Sequence, residues 1–417
     1  MTTEPAQFAT PVRSCWGIWP APPAAWSYSS LKDLEACPRR WMLSRAAYPK
    51  LWEGGGYPPM PNTAALFGDV VHAALELLVK ALVVTGPEST GTAAAVAILK
   101  QMGGYTAIIE RALDWRLQRL AGNPRVDADR LRRIRLELDL RIPDARAKVQ
   151  ALLSRIDLPH GVAPEPGRTP DDGSADQQPP PRGPLPMGTH AEVALRAAEL
   201  RLAGRIDLLA VDEQGAKITD YKTGEQDPSH ADQLRTYALL WDLDRFANPA
   251  RRPTTALTAA YPAGPQPYPP PGNAELRTLE RDLRERIDAA DATVAGQSPA
   301  AKPSVENCKY CQVRHLCDDY WAQVVPRIST VRVGDRFDYQ GVVASANGAR
   351  SWTMKRRPGE PTVLLRTVSP ATDLRAGDHI RVLGVRHDEA SESGVLVVEI
   401  TTNSESFALG TASSPSR

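Results

Sequence analysis

The 417-residue sequence has no stretch that reads as a membrane span. Its most apolar run, DVVHAALELLVKALVV from Asp69, is broken by Asp, His, Glu and Lys at positions that leave an amphipathic helix. The N-terminus lacks the basic-then-apolar order of a secretory signal. Excess charge is missing as well. With a formal net charge of +1, any nucleic-acid surface has to be a local basic patch. There is no internal repeat and no Gly-x-x-x-x-Gly-Lys-Ser/Thr loop, which argues against an NTP-driven motor. Cysteine is scarce: five residues, an odd number, without export signals. A cytoplasmic location with no membrane association is expected, and cysteines that cluster there point to metal rather than to disulfides.

What is present divides the chain by texture. Residues 1–25, rich in Pro and Ala, read as an extended arm. A helix is expected from an N-cap at Ser29 or Ser30 to Cys37-Pro38, then a longer one in LFGDVVHAALELLVKAL and further helices over 92–155. Residues 161–187 hold eight prolines and almost no large apolar residue, which predicts a flexible insert. Three β-rich stretches follow: HAEVALRA, LRLAGRIDLLAVDE and AKITDYKTG. The Asp212–Gly215 turn joins the last two as an antiparallel pair. Helical pattern returns in HADQLRTYALLWDLDRF and, past a Pro-rich run, from about Ala274 to Ala295. From about 326 to 410, short alternating strands predict a small β-barrel of the OB type, with an SH3-like barrel as the competitor; 411–417 is a tail.

The stretch ITDYKTGEQ (218–226) places a carboxylate and an ammonium on one face of a core strand, because Asp220 and Lys222 share the strand's period of two. Asp207, in GRIDLL, lies on the neighbouring strand across a tight turn. Pairing brings the two carboxylates to one sheet edge, within reach of a hard cation such as Mg²⁺ or Mn²⁺. The carbonyl of Tyr221 is a further candidate oxygen ligand. Lys222 suits orienting a water and stabilising charge on a phosphate.

GRIDLL, ITDYKTG and QLRTYALLW, in this order, resemble the PD-(D/E)XK nuclease superfamily, specifically its RecB-like branch, which includes the AddB nuclease domain and the CRISPR-adaptation nucleases. The resemblance spans residues 26 to about 320. It implies an α/β fold, a restriction-endonuclease-like mixed sheet flanked by helices. It also implies that Asp207 and Asp220 hold metal, that Lys222 is the catalytic lysine, and that Gln233 and Tyr237 assist it from a helix. His72, in FGDVVHAALE, matches the branch's upstream histidine and is an additional candidate metal ligand. Glu192 falls where the branch often has an acidic residue. Asp220 stands where Glu is commoner, and Ile206 rather than Pro precedes Asp207.

Cys308, Cys311 and Cys317 form a Cys-x-x-Cys with a third thiol after a five-residue gap, and Cys37 lies far upstream. Four thiolates suit Zn²⁺ or an iron–sulfur cluster. The arrangement, one cysteine before the core and three after it, resembles iron–sulfur members of the RecB-like branch and implies a [4Fe–4S] clasp, making 26–325 one nuclease domain. Cys15 and His315 read as bystanders. Arg39 and Arg40, with Trp41 and Arg45, form a basic and aromatic group beside the cysteines. Lys355, Arg356 and Arg357 form a basic loop on the barrel, near Trp352. The function expected is a metal-dependent DNA nuclease, an exonuclease acting on ends or single strands. Its setting would be repair, recombination or phage defence, beside a helicase or another defence or repair subunit. The alternative is a non-cleaving DNA-binding scaffold, and nothing in the residues separates DNA from RNA.

Overall fold

The computed structural model describes residues 17–52, 55–86, 89–156, 183–355, 361–368, 374–389 and 395–411. The predicted Pro-rich insert therefore falls largely outside the described residues, as do most of the N-terminal arm, Cys15, Arg356, Arg357 and most of the tail.

Among the described residues, seven helices precede the first strand: α1 (Tyr28–Ala36), α2 (Pro38–Arg45), α3 (Thr63–Thr85), α4 (Ala93–Gln101), α5 (Gly104–Gln118), α6 (Ala128–Asp139) and α7 (Ile142–Leu153). Ser27 caps α1, its Oγ accepting the Ser30 N–H, so the helix begins before the serines predicted to cap it. Pro143 at the start of α7 splits what reads in sequence as one arginine-rich helical stretch into α6 and α7. Strands β1 (Gly188–Ala197), β2 (Leu202–Val211) and β3 (Ala216–Tyr221) follow, then α8 (Ser229–Leu243), β4 (Thr254–Tyr261), β5 (Gly264–Tyr268) and α9 (Asn273–Ala295). Two short helices, α10 (Val305–Lys309) and α11 (Asp318–Gln323), flank the last two cysteines of the cluster. Strands β6 (Arg336–Ala346), β7 (Ser351–Met354), β8 (Thr362–Thr367), β9 (Asp378–Asp388), β10 (Val395–Ile400) and β11 (Glu405–Thr411) complete the chain.

The chain divides into two compact units, one of residues 23–32 and 60–292, the other of 1–22, 33–59 and 293–417. In the first, five strands form a mixed sheet in the order β1-β2-β3-β4-β5. The first three are antiparallel, and α8 carries the chain across so that β4 lies parallel to β3. Strand β5, inside the Pro-rich run, is an addition to the sequence reading. Its prolines are accommodated because it is an edge strand with only β4 beside it. Apolar faces of α3, α5 and α7 make one core, into which Leu208, Tyr221 and Ala260 of the sheet also pack. Helix α8 is a second layer, with Leu234, Leu239, Leu240 and Trp241 buried.

In the second unit, β6, β7, β8, β10 and β9 pair in that order and β9 pairs back to β6, closing a five-stranded ring. The β8–β10 pair is parallel, and β11 adds to β9. The expected small barrel is present. Its core includes Phe337, Val343, Trp352, Leu365, Ile380 and Val398. The cysteine segment belongs to this unit and packs with Leu383 of β9 and Phe407 of β11. Buried Asp338 of β6 ties the two together. It accepts from Arg314 Nε at 2.6 Å, Tyr320 Oη at 2.7 Å and the Gly384 N–H at 2.8 Å.

Candidate active site

Register builds the site. Leu208 pairs with Thr219 across β2–β3, and Val193 with Ile206 across β1–β2. Asp207 and Asp220 come next where the β2–β3 ladder ends, and Glu192 lies between Ala191 and Val193, which face Leu208 and Ile206 on either side of Asp207. Three acids from three adjacent strands thus lie in one row. The Asp212–Gly215 turn sets this register, with Asp212 Oδ1 accepting the N–H groups of Gln214 and Gly215. Glu192 adopts a left-handed backbone (φ 56°), which strands rarely tolerate in a residue with a side chain. Its carboxylate pairs with Arg205 Nε at 2.8 Å.

Burial and crowding shape the electrostatics. Asp207 is held well above the usual aspartate range, first by burial and then by the Asp220 charge. The Tyr221 N–H, donated to Asp207 Oδ2 at 2.6 Å, works against that shift. Asp220 is 3% exposed, and its Oδ2 lies 2.5 Å from Lys222 Nζ. That contact has ion-pair distance without the angles of a directed hydrogen bond, so this buried oxygen has no hydrogen-bond donor. A buried carboxylate oxygen without a donor, beside a second carboxylate, is a donor set that a hard cation satisfies. Burial pushes the His72 imidazole below its usual value, an effect that outweighs the opposing pull of Asp220. The neutral ring that results is the form that ligates metal. Among the described residues no three His, Cys, Asp or Glu side chains meet as a preformed ion cage. His72, Asp207 and Asp220 instead converge on one open cleft of about 330 Å³.

Lys222 is gripped from α8. Its Nζ donates to Gln233 Oε1 at 2.8 Å, and Gln233 Nε2 donates to Tyr237 Oη at 2.7 Å. Chemistry fixes this direction, because an ammonium has no acceptor and the amide must turn its oxygen toward it. The spacing of four residues puts Gln233 and Tyr237 on one helical face. Helix α8 comes close enough because residue 204 is glycine. A Cβ there would lie 2.8 Å from Leu240 Cδ1 and 3.0 Å from Tyr237 Cε1. On the other side, Gly68 of α3 lets the loop after Lys222 approach, since its Cβ would meet Thr223 Oγ1 at 3.0 Å. Lys148 of α7 holds the same loop, donating to the Thr223 carbonyl at 2.9 Å.

Against this geometry, the sequence profile of the PD-(D/E)XK nuclease superfamily matches residues 25–318. The chain belongs to the PD-(D/E)XK nuclease superfamily. This makes it a metal-dependent nuclease hydrolysing phosphodiester bonds. No curated protein matches the chain significantly. Among solved structures, a murine DNA binding protein bound with double-stranded DNA is similar at 11% identity and TM-score 0.19, over 55% of this chain and 95% of its own. The HINb domain of p204 is similar at 8% identity and TM-score 0.17, over 53% and 93%.

The cleft lined by Asp207, Asp220 and Lys222 also holds His230, which the sequence reading passed over. Its Nδ1 lies 2.5 Å from Tyr261 Oη, and burial lowers its pKa, with Lys222 adding to the effect. Its place in the first turn of α8, three residues before Gln233, was the only available signal. In the other unit, Cys37, Cys308, Cys311 and Cys317 are buried free thiols lining one small pocket, despite some 270 residues between the first and the rest. Burial pushes the Cys311 thiol up to about 11 and raises Cys317 too. His315, between the second and third of the clustered thiols, is fully buried, stacked on Phe407 and 2.7 Å from Tyr57 Oη.

Two of the proposed DNA-binding side chains of this unit have protein partners. Arg39 donates to the Pro299 carbonyl, and Arg40 donates to Asp33 and the Asn307 carbonyl. Trp41 is 2% exposed, so it presents no ring for a base. Trp352, expected near the basic loop, lies in the barrel core with its Nε1 donating to the Leu374 carbonyl. Lys355 is exposed.

Proposed function

We propose that the chain is a Mg²⁺- or Mn²⁺-dependent deoxyribonuclease acting on DNA ends or single strands. The convergence of Asp207, Asp220 and Lys222, with Asp220 Oδ2 lacking a hydrogen-bond donor, carries this reading. His72, Asp207, Asp220 and the Tyr221 carbonyl would hold the cation. When bound, it would supply Lewis acidity toward a phosphodiester oxygen and make the attacking water more acidic. Lys222, oriented by Asp220 and Gln233, orients that water and meets the charge developing on the phosphate. Tyr237 acts through Gln233 and is a positioning residue. The row of acids excludes a phosphate from docking there without a counter-charge, which is why the lysine and the cation belong to the same face.

In this reading the four thiols that line one pocket, though they form no preformed cage among the described residues, would hold a [4Fe–4S] cluster, with Zn²⁺ the other ion that suits four sulfurs. Its role in this reading is structural, a clasp closing residues 37 and 308–317 together. The ring order of the barrel, with one parallel pair, supports an OB-type domain that binds single strands. A helicase or another repair or defence subunit is the class of partner proposed.

The test is cleavage of end-labelled single- and double-stranded DNA by anaerobically purified protein with Mg²⁺ or Mn²⁺, beside Lys222→Ala. Cleavage by wild type that chelator and Lys222→Ala both abolish is expected. Equal cleavage by both proteins would overturn the assignment of the lysine. No cleavage of any DNA by metal-loaded wild type would leave a binding scaffold.

A further inference from the structure

Helix α5 carries a surface that the reaction does not use. Trp115 is 44% exposed, an unusual placement for the largest side chain in a domain with an ample core. Two guanidiniums stand over its ring, Arg116 at 4.7 Å and Arg119, just past the helix end, at 5.0 Å from the centroid. Neither arginine makes an ion pair among the described residues, and Arg116 Nε is buried with no hydrogen-bond partner. Neighbouring arginines of the helical layer behave otherwise. Arg135 pairs with Asp114 and Asp139, and Arg132 with Asp129. What sets Arg116 and Arg119 apart is that both stand over one exposed indole. Helix α5 packs against α3, the helix that carries His72, in one shared core.

An exposed indole offers a face to an unstacked base, and guanidiniums beside it offer donors to the adjoining phosphates. A duplex keeps its bases stacked on one another, so such a surface favours a single strand. We propose that Trp115, Arg116 and Arg119 form a platform for single-stranded nucleic acid next to the cleft, with one base on the indole and flanking phosphates on the arginines. This rests on the nuclease reading of the cleft and adds to it the route of the strand.

The experiment uses the full chain carrying Lys222→Ala, so that bound strands stay intact. A fluorescent single-stranded oligonucleotide and the matching duplex are titrated by anisotropy, alone and with Trp115→Ala or Arg119→Gln added. Losing the stacking partner should weaken single-strand binding by about 5- to 100-fold and duplex binding much less. Arg119→Gln should lower the slope of log K against log salt by about 0.7, one phosphate contact on a single strand. A 5-iododeoxyuridine oligonucleotide should photocross-link to the tryptic peptide Ala112–Arg116. Since Trp115 is exposed, melting temperatures should not move. If Trp115→Ala nonetheless unfolds, the salt slope and the cross-link decide. Unchanged affinity with cross-links elsewhere overturns the platform, as does equal loss on duplex and single strand. Cleavage by wild type that is indifferent to Trp115 removes the platform alone. Trp115-dependent binding without any wild-type cleavage keeps it and removes the nuclease reading.

Discussion

The Lys222–Gln233–Tyr237 chain makes a quantitative prediction. Gln233→Leu keeps the side-chain volume but deletes the 2.8 Å acceptor for Lys222 and the 2.7 Å donor to Tyr237. A hydrogen bond to a charged group contributes about 1.5–3 kcal/mol. If that term is fully expressed where Lys222 meets the reacting phosphate, kcat falls by about 10- to 150-fold. Tyr237→Phe removes a neutral bond of about 0.5–1.5 kcal/mol, or roughly 2- to 12-fold. Because Tyr237 reaches the lysine only through the amide, Tyr237→Phe should cost nothing further in the Gln233→Leu background. The assay is initial-rate cleavage of a labelled oligonucleotide, with kcat and KM separated, for the four proteins of the cycle. KM should stay nearly constant, since the amide does not touch substrate. Gln233→Leu with wild-type kcat, or an equal Tyr237→Phe effect in both backgrounds, would refute the relay.

Three further outcomes are expected. Gly204→Ala puts a methyl 2.8 Å from Leu240 and 3.0 Å from the Tyr237 ring, so overpacking should cost about 1–3 kcal/mol in thermal melts and lower kcat by displacing α8; unchanged melting would show that α8 is not held this closely. Asp207, whose folded pKa is raised, binds more protons in the native than in the unfolded state, so without metal its ionisation erodes stability as pH rises from the ordinary aspartate range up to the raised value. Asp207→Asn should therefore melt higher than wild type at neutral pH without metal and lose most of the stabilisation by Mn²⁺; equal melting curves against pH would count against the carboxylate pair. Asp338→Ala leaves Arg314 and Tyr320 without their shared acceptor, and denaturant unfolding of the cysteine-and-barrel unit should shift by about 3–5 kcal/mol.

Short-range patterns were legible from residues alone. The period of two in AKITDY, the DEQG turn and the four-residue step from Gln233 to Tyr237 are local stereochemistry, and they put Asp207, Asp220, Lys222 and the helix pair in one place. The small barrel was legible in the same way, from short alternating strands and their turns. Tertiary structure alone decided what each of these groups meets. Edge position, not composition, lets the Pro-rich run become β5. Burial removed Trp41 and Trp352 from the candidate DNA contacts and left Trp115 outside, although nothing in sequence distinguishes one tryptophan's environment from another's. Long-range packing brought Cys37 to Cys308, Cys311 and Cys317, and placed Asp338 to accept from Arg314, Tyr320 and Gly384 at once. Hydrogen-bond satisfaction and desolvation are properties of surroundings assembled from distant segments. A sequence names the groups, and only the fold sets the dielectric and the neighbours that give them their charge and reach.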